Sequence, residues 1–195
     1  MESFAYCSIA TYPLNYLTER LTDIRPTALG AITAASILAI FVTFLAGSLT
    51  DRVGRRPLYM GACIVAILFA FPMYLLTNDG TPALVIAVFV FGIGFIHATL
   101  TGNQGSLLTE QFGTSTRTSG ASLGYQIAAV IGGFAPLLAA VLVRWIGWAG
   151  AALLYMSAAV VGLIAILVTK ETYGRAERER INALVAGERA AAGVR

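Results

Sequence analysis

The sequence predicts an all-α protein that is embedded in a membrane as a bundle of six helices. Of its 195 residues, 57% are hydrophobic and only 12% are charged, and the mean hydropathy is +0.77. A soluble domain usually carries about 25% charged residues. The charges are also clustered, so apolar stretches of roughly 20 residues recur along the chain, which is the length that an α-helix needs to cross a bilayer.

Five apolar stretches are long enough to span a membrane, and only a helix satisfies their backbone polar groups in lipid. These predicted spans cover residues 29–48, 58–76, 83–100, 121–143 and 149–168. A sixth stretch, residues 4–17, is too short for a full crossing and contains Pro13 and Asn15. We expect it to be the end of a first span that is truncated in this sequence. Pro136 is predicted to interrupt the fourth complete span.

The bundle is predicted to occupy residues 1–169, and residues 170–195 are predicted to form a cytoplasmic tail. Lys and Arg gather in this tail, at Arg117 and in the connection after the first complete span. Membrane proteins keep such connections on the cytoplasmic side. The bias therefore predicts a multi-pass protein of the plasma membrane, the inner membrane of a bacterium, with a cytoplasmic C-terminus. It also accounts for the net charge of +3 without a nucleic-acid partner.

The short connection between the first two complete spans follows the pattern G-x-x-x-D-R-x-G-R-R over residues 47–56. The matching residues are Gly47, Asp51, Arg52, Gly54, Arg55 and Arg56. This pattern resembles the signature loop of the major facilitator superfamily. The resemblance implies a conformational latch, in which the aspartate faces the positive end of a neighbouring helix and the arginines engage nearby acids. Binding of the arginines to lipid phosphates is the alternative.

A second match covers residues 102–126, where E-x-F-G-T-x-x-R is followed by G-A-S-L-G-Y-Q. It resembles the tenth and eleventh helices of the metabolite:proton symporter family, and it adds Glu110 and Arg117 to the implied latch. Asn103 and Gly113 stand where that family typically has proline, which loosens both places. The resemblance implies that the chain is the C-terminal half of a twelve-helix fold.

Polar side chains inside the predicted spans indicate a substrate cavity, because burying them is costly unless water, substrate or a neighbouring helix satisfies them. The candidates are Tyr12, Tyr16, His97, Thr101, Gln104, Ser122 and Gln126. His97, Thr101 and Gln104 share one helical face by their spacing. His97 is either a proton relay or a neutral histidine bonded to a neighbouring helix. Hydrogen bonds between helices are the alternative for the other candidates.

The resemblance implies a secondary transporter that moves a small organic solute with protons by alternating access. The solute could be a carboxylate, a betaine-like osmolyte or an aromatic acid. The expected partners are this solute, the proton, the lipid bilayer and an N-terminal six-helix half. The alternatives are half of a drug–proton antiporter, and a non-transporting membrane fragment or subunit that needs a separate N-terminal half.

No motif in the sequence indicates an enzyme, a cofactor or a metal site. The chain has a single histidine and two cysteines, Cys7 and Cys63, which lie inside apolar stretches where small packing residues are common. Sequence patterns for phosphate binding or nucleophilic catalysis are missing as well. We therefore expect neither enzymatic activity nor a bound cofactor or metal.

The charge bias makes a testable prediction of topology. In a background without Cys7 and Cys63, single cysteines at Leu49 and Ala192 should resist an impermeant thiol reagent in intact cells, because both positions are predicted to be cytoplasmic. A cysteine at Asp79, in a predicted external connection, should label and is the control. Labelling from outside at Leu49 or Ala192 would contradict the topology.

Overall fold

The apolar stretches fold as helices in a computed structural model, which describes residues 2–11, 25–79, 81–109, 111–112 and 116–169. The helices in chain order are α1 (Glu2–Tyr6), which continues as the π-helical turn Cys7–Thr11, α2 (Arg25–Val53), α3 (Arg55–Asp79), α4 (Pro82–Thr109), α5 (Arg117–Gly133), α6 (Ala135–Ile146) and α7 (Trp148–Val168). Within α4, Val90–His97 is π-helical.

Five helical stretches are long and apolar enough to cross a membrane, which confirms the predicted number of complete spans. They are Pro26–Thr50, Arg55–Thr77, Pro82–Thr109, Arg117–Ile146 and Trp148–Val168. Each begins or ends some residues beyond the predicted span, since apolarity marks the part inside lipid and the helical hydrogen bonds continue past it. Of the predicted short first span, residues 12–17 lie outside the described residues, as does the predicted tail, residues 170–195.

The charged connection between α2 and α3 consists of one non-helical residue, and the loop that the sequence predicted is not formed. Helix α2 continues through Arg52 and Val53, Gly54 alone leaves the helical conformation, and α3 begins at Arg55. Gly54 adopts a φ of 106°, which glycine tolerates because it has no Cβ, and its N–H donates to the carbonyl of Thr50 at 3.0 Å. We call residues 51–56 the charged turn.

Helix α4 runs further than its predicted span and carries the second motif as far as Thr109. Asn103 favours this continuation of the helix, because it retains the backbone N–H that a proline at this position would lack. Pro136 acts as predicted in the next span. The helix breaks at Phe134, and Pro136 occupies the first turn of α6, where its missing N–H costs little.

The core is built where α3 packs along α7 and where α2 packs along α4. Small residues line these contacts. On α3 they include Cys63, Ala66 and Ala70, and on α7 they include Ala152 and Ala159, all of them fully buried. Small side chains let helix backbones approach closely, which is how helices associate in lipid without a hydrophobic driving force.

Helices α2 and α4 approach each other closely at Gly102. A methyl group added at Gly102 would lie 2.6 Å from the carbonyl oxygen of Thr43, and one added at Gly47 would lie 3.8 Å from the carbonyl oxygen of Gly102. One helical turn away, the Thr43 hydroxyl donates to the Ala98 carbonyl at 3.3 Å. Backbone contact and hydrogen bond together fix the distance between these two spans.

Gly102→Ala should destabilise the protein by about 2 kcal/mol, because the new methyl group must push the α2 backbone away. Gly105→Ala is the matched control, since it lies on the same helix with nothing within 4 Å of its added methyl group. Thermal unfolding of both variants in the same detergent measures the difference. Equal melting temperatures would contradict the close contact between α2 and α4.

Candidate functional site

The charged turn is held to the end of the last helix by Arg56. The Arg56 guanidinium donates through Nη2 to the carbonyl oxygen of Leu167 at 2.6 Å, and Arg56 is half-buried. Leu167 lies in the last turn of α7, where carbonyl groups have no N–H partner within the helix and carry a partial negative charge. A guanidinium therefore satisfies an acceptor that the helix leaves open, and it joins α3 to α7.

A second bond ties the charged turn to α4. Asn103 is completely buried, and its Nδ2 donates to the carbonyl oxygen of Arg55 at 2.5 Å. In the sequence, Asn103 stands out only as a departure from the proline of the resembling family. The missed signal was that departure itself, because asparagine supplies a side-chain donor that proline lacks.

The predicted latch residues are partly brought together. Gly47 lies inside α2 and faces α4, while Gly54 forms the turn and Arg55 and Arg56 open α3. Arg52, in the last turn of α2, and Arg117, the first residue of α5, are exposed. The side chain of Asp51 and the whole of Glu110 lie outside the described residues. The role of these residues as a latch stays a prediction.

A cavity of about 250 Å³ opens between α4 and α5. Its walls include Ser122 and Gln126, two of the predicted substrate-binding residues. The remaining lining residues are Gly105, Leu108 and Thr109 from α4 with Ala121 and Tyr125 from α5. Sequence reasoning missed Tyr125, although it stands three residues after Ser122 and therefore shares its helical face.

Gln104 is half-buried and lies one residue before the first cavity-lining residue of α4, without lining the cavity itself. Its Oε1 atom is buried and has no hydrogen-bond partner within the described ranges. A buried amide oxygen without a donor is costly, so water, solute or a residue outside those ranges must satisfy it.

His97 and Thr101 form a separate polar group on α4, on the N-terminal side of Gln104. The Thr101 hydroxyl donates to the His97 carbonyl at 3.0 Å and lies 3.4 Å from Nε2 of the same histidine. The Tyr6 ring packs against the imidazole with 5.0 Å between ring centroids. His97 ends the π-helical segment of α4, and π-helical turns are frequent at functional sites. Tyr12 and Tyr16, the predicted aromatic members, lie outside the described residues.

The described residues hold no group of three His, Cys, Asp or Glu side chains that could bind a metal ion. Cys63 is buried in the core and Cys7 is half-buried. The polar chemistry of the described site therefore consists of hydroxyl, amide, imidazole and guanidinium groups.

The five apolar helices define a multi-pass membrane protein. The sequence model of the Major Facilitator Superfamily matches residues 3–190, so the chain belongs to that superfamily. This confirms the resemblance that the two motifs indicated.

Three curated relatives show what the chain is similar to. It is 27% identical to the shikimate transporter of Escherichia coli K12 over 167 residues, which is 84% of this chain and 38% of the relative. It is 32% identical to the proline/betaine transporter of the same strain over 171 residues, 87% of this chain and 34% of the relative. The citrate-proton symporter of Klebsiella pneumoniae is 31% identical over 121 residues, 61% of this chain and 27% of the relative.

The chain thus spans about a third of the length of the curated relatives it matches. No solved structure matches it significantly.

Arg56→Ala should lower the free energy of unfolding by about 1 kcal/mol, because it leaves the Leu167 carbonyl without its charged donor. It should also speed amide hydrogen exchange at the end of α7. Arg52→Ala, which removes an equally charged but exposed side chain, should change neither quantity. Unchanged exchange in Arg56→Ala would show that this bond does not hold the helix end.

Proposed function

We propose that the chain is the C-terminal half of a proton-coupled transporter of small organic metabolites that works by alternating access. The observation that carries this proposal is a cavity between two spans of a major facilitator protein, with polar side chains in its wall. Hydroxyl and amide groups of Ser122, Tyr125 and Gln126 line this cavity from α5. Binding sites near the middle of the membrane, built where helices face each other, are typical of secondary transporters.

The large apolar surface that two spans leave exposed supports an N-terminal half as partner. In α2 and in the span Arg117–Ile146, only 17% of the apolar window is buried, against 50% in α4. The relatives are about three times as long as the matched segment, so a second bundle is available to cover part of these faces. Lipid covers the remaining apolar surface. The alternative is a chain that transports nothing by itself, and the same exposed apolar surface supports it.

The cavity chemistry suits a carboxylate as the solute class. The names of the relatives include shikimate, proline, betaine and citrate, and each of these compounds carries a carboxylate. Ser122, Tyr125 and Gln126 can each donate a hydrogen bond to such a group. Hydrogen bonds to a charged group are stronger than those between neutral groups, so a few donors suffice to hold it.

The charged turn is proposed to act as the latch between the two access states. Its ties to α4 and α7 join three helices at one end of the bundle, which suits a contact that forms in one state and opens in another. His97 is the proposed proton site, with the neutral, hydrogen-bonded histidine as its alternative. The proposed setting is the inner membrane, with the charged turn and the C-terminus on the cytoplasmic side.

The proposal predicts proton-driven uptake only when both halves are present. The chain is joined to the N-terminal half of the E. coli proline/betaine transporter, and vesicles with an alkaline interior are given labelled proline, betaine, shikimate or citrate. We expect saturable uptake of at least one solute, and none with the chain alone. Ser122→Ala and Gln126→Ala should each raise the half-saturation concentration about tenfold, the effect of one lost bond to a charged group.

Ser157→Ala is the matched control, because this exposed serine on α7 donates to the carbonyl of Leu154 in its own helix and does not line the cavity between α4 and α5. Absence of uptake of every solute by the joined halves would refute the transport function. Saturable uptake by the chain alone would refute the need for a partner half. Normal half-saturation in both cavity variants would show that the cavity does not bind the solute.

A further inference from the structure

Asn103 uses a buried side chain to bond to another helix, as does Tyr74, whose hydroxyl donates to the carbonyl of Ser8 at 3.0 Å. Thr50 and Thr77 are also buried, but each hydroxyl donates to a carbonyl four residues earlier in its own helix. Those bonds are kept when the helix moves relative to its neighbours, because donor and acceptor belong to the same helix. The amide of Asn103 instead donates to the carbonyl of Arg55, 48 residues away and on another helix. Its bond therefore exists only while α4 and the charged turn keep their relative position.

The neighbours of Asn103 on α4 give this bond its importance. Gly102 lies against the backbone of Thr43 on α2, and Gln104, with its buried amide oxygen, follows on the other side. Three consecutive residues thus contact α2, hold the charged turn and lead to the cavity wall at Gly105. The contact with the turn and the cavity wall are thus separated by less than one helical turn of α4.

Breaking the bond inside the bundle has a definite cost. The Arg55 carbonyl keeps the N–H donor that its own helix provides, so the cost falls on Asn103, whose completely buried amide would lose its acceptor. An amide donor without a partner is unfavourable in an apolar environment. Asn103 Oδ1 is also buried and has no partner within the described ranges, so the amide is held by the Arg55 contact.

We propose that Asn103 is a positioning residue that couples the charged turn to α4, so that the turn and the cavity wall move as one unit during transport. The kinetic part of this inference rests on the proposed function, whereas the structural part does not. A proline at position 103 would provide no donor and would remove the backbone hydrogen bond of α4 at this point. The asparagine therefore creates a link that the resembling family pattern lacks at this position.

The structural part is tested in the chain itself with a thiol reporter. In a background without Cys7 and Cys63, Thr50→Cys places a near-isosteric thiol beside the charged turn, at a position that is only 2% exposed. Asn103→Leu should speed its labelling by a permeant reagent about tenfold, because the lost bond raises the population in which the turn opens locally. Thr77→Val, which removes a buried bond within one helix, should leave the rate unchanged.

The kinetic part is tested in the joined halves. Asn103→Leu should lower the maximal uptake rate about tenfold and leave the half-saturation concentration unchanged, because the solute contacts stay intact while the movement loses its coupling. Asn103→Ala should behave in the same way and avoids the added bulk of leucine. Thr77→Val should match the parent protein in both constants.

Each other outcome overturns the inference. Unchanged labelling at position 50 would show that the turn does not depend on Asn103, whether or not the joined halves transport anything. A raised half-saturation concentration at a normal maximal rate would make Asn103 part of the solute site. Loss of both the leucine and the alanine variant from the membrane, with Thr77→Val retained, would show a merely structural role.

Discussion

Every backbone N–H and C=O group in the membrane interior has to be hydrogen-bonded within the protein, and this requirement decides where the chain can turn. Gly54 alone separates α2 from α3, and its N–H bonds back to Thr50. Gly147 separates α6 from α7 with a φ of 67° and bonds back to Val143. Because these turns are so short, Arg55 and Arg56 become the first residues of a helix, close to the ends of its neighbours.

Close packing then lets short side chains join the helices. Where Gly102 meets the backbone of Thr43, α2 and α4 are near enough for a threonine hydroxyl to reach the other helix. Two further bonds join the charged turn to its neighbours. The Asn103 amide of α4 donates to the carbonyl of Arg55, and the Arg56 guanidinium donates to a carbonyl of α7. The Leu167 carbonyl lies at a helix C-terminus, where carbonyl groups lack partners within the helix, whereas the Arg55 carbonyl in the first turn of α3 accepts the Asn103 amide as an additional donor.

Helix α4 brings the polar features of the bundle into one element. It carries His97 and Thr101 beside Tyr6, then Asn103 at the charged turn, and finally the wall of the cavity that faces α5. A small shift of this helix would therefore affect His97, the charged turn and the cavity together. That arrangement suits a transporter, in which solute binding and conformational change have to be coupled.

The sequence by itself determined the helical class, the five complete spans and the superfamily, because bilayer thickness and motif spacing are both readable along one chain. It also placed Pro136 at a helix break. Tertiary structure decided that Asn103 reaches Arg55, that Tyr6 packs on His97 and that Tyr125 lines the cavity. These contacts join residues on different helices, and their formation depends on how each helix is rotated and how closely it packs. Apolar periodicity indicates little about rotation in spans that are apolar on nearly every side.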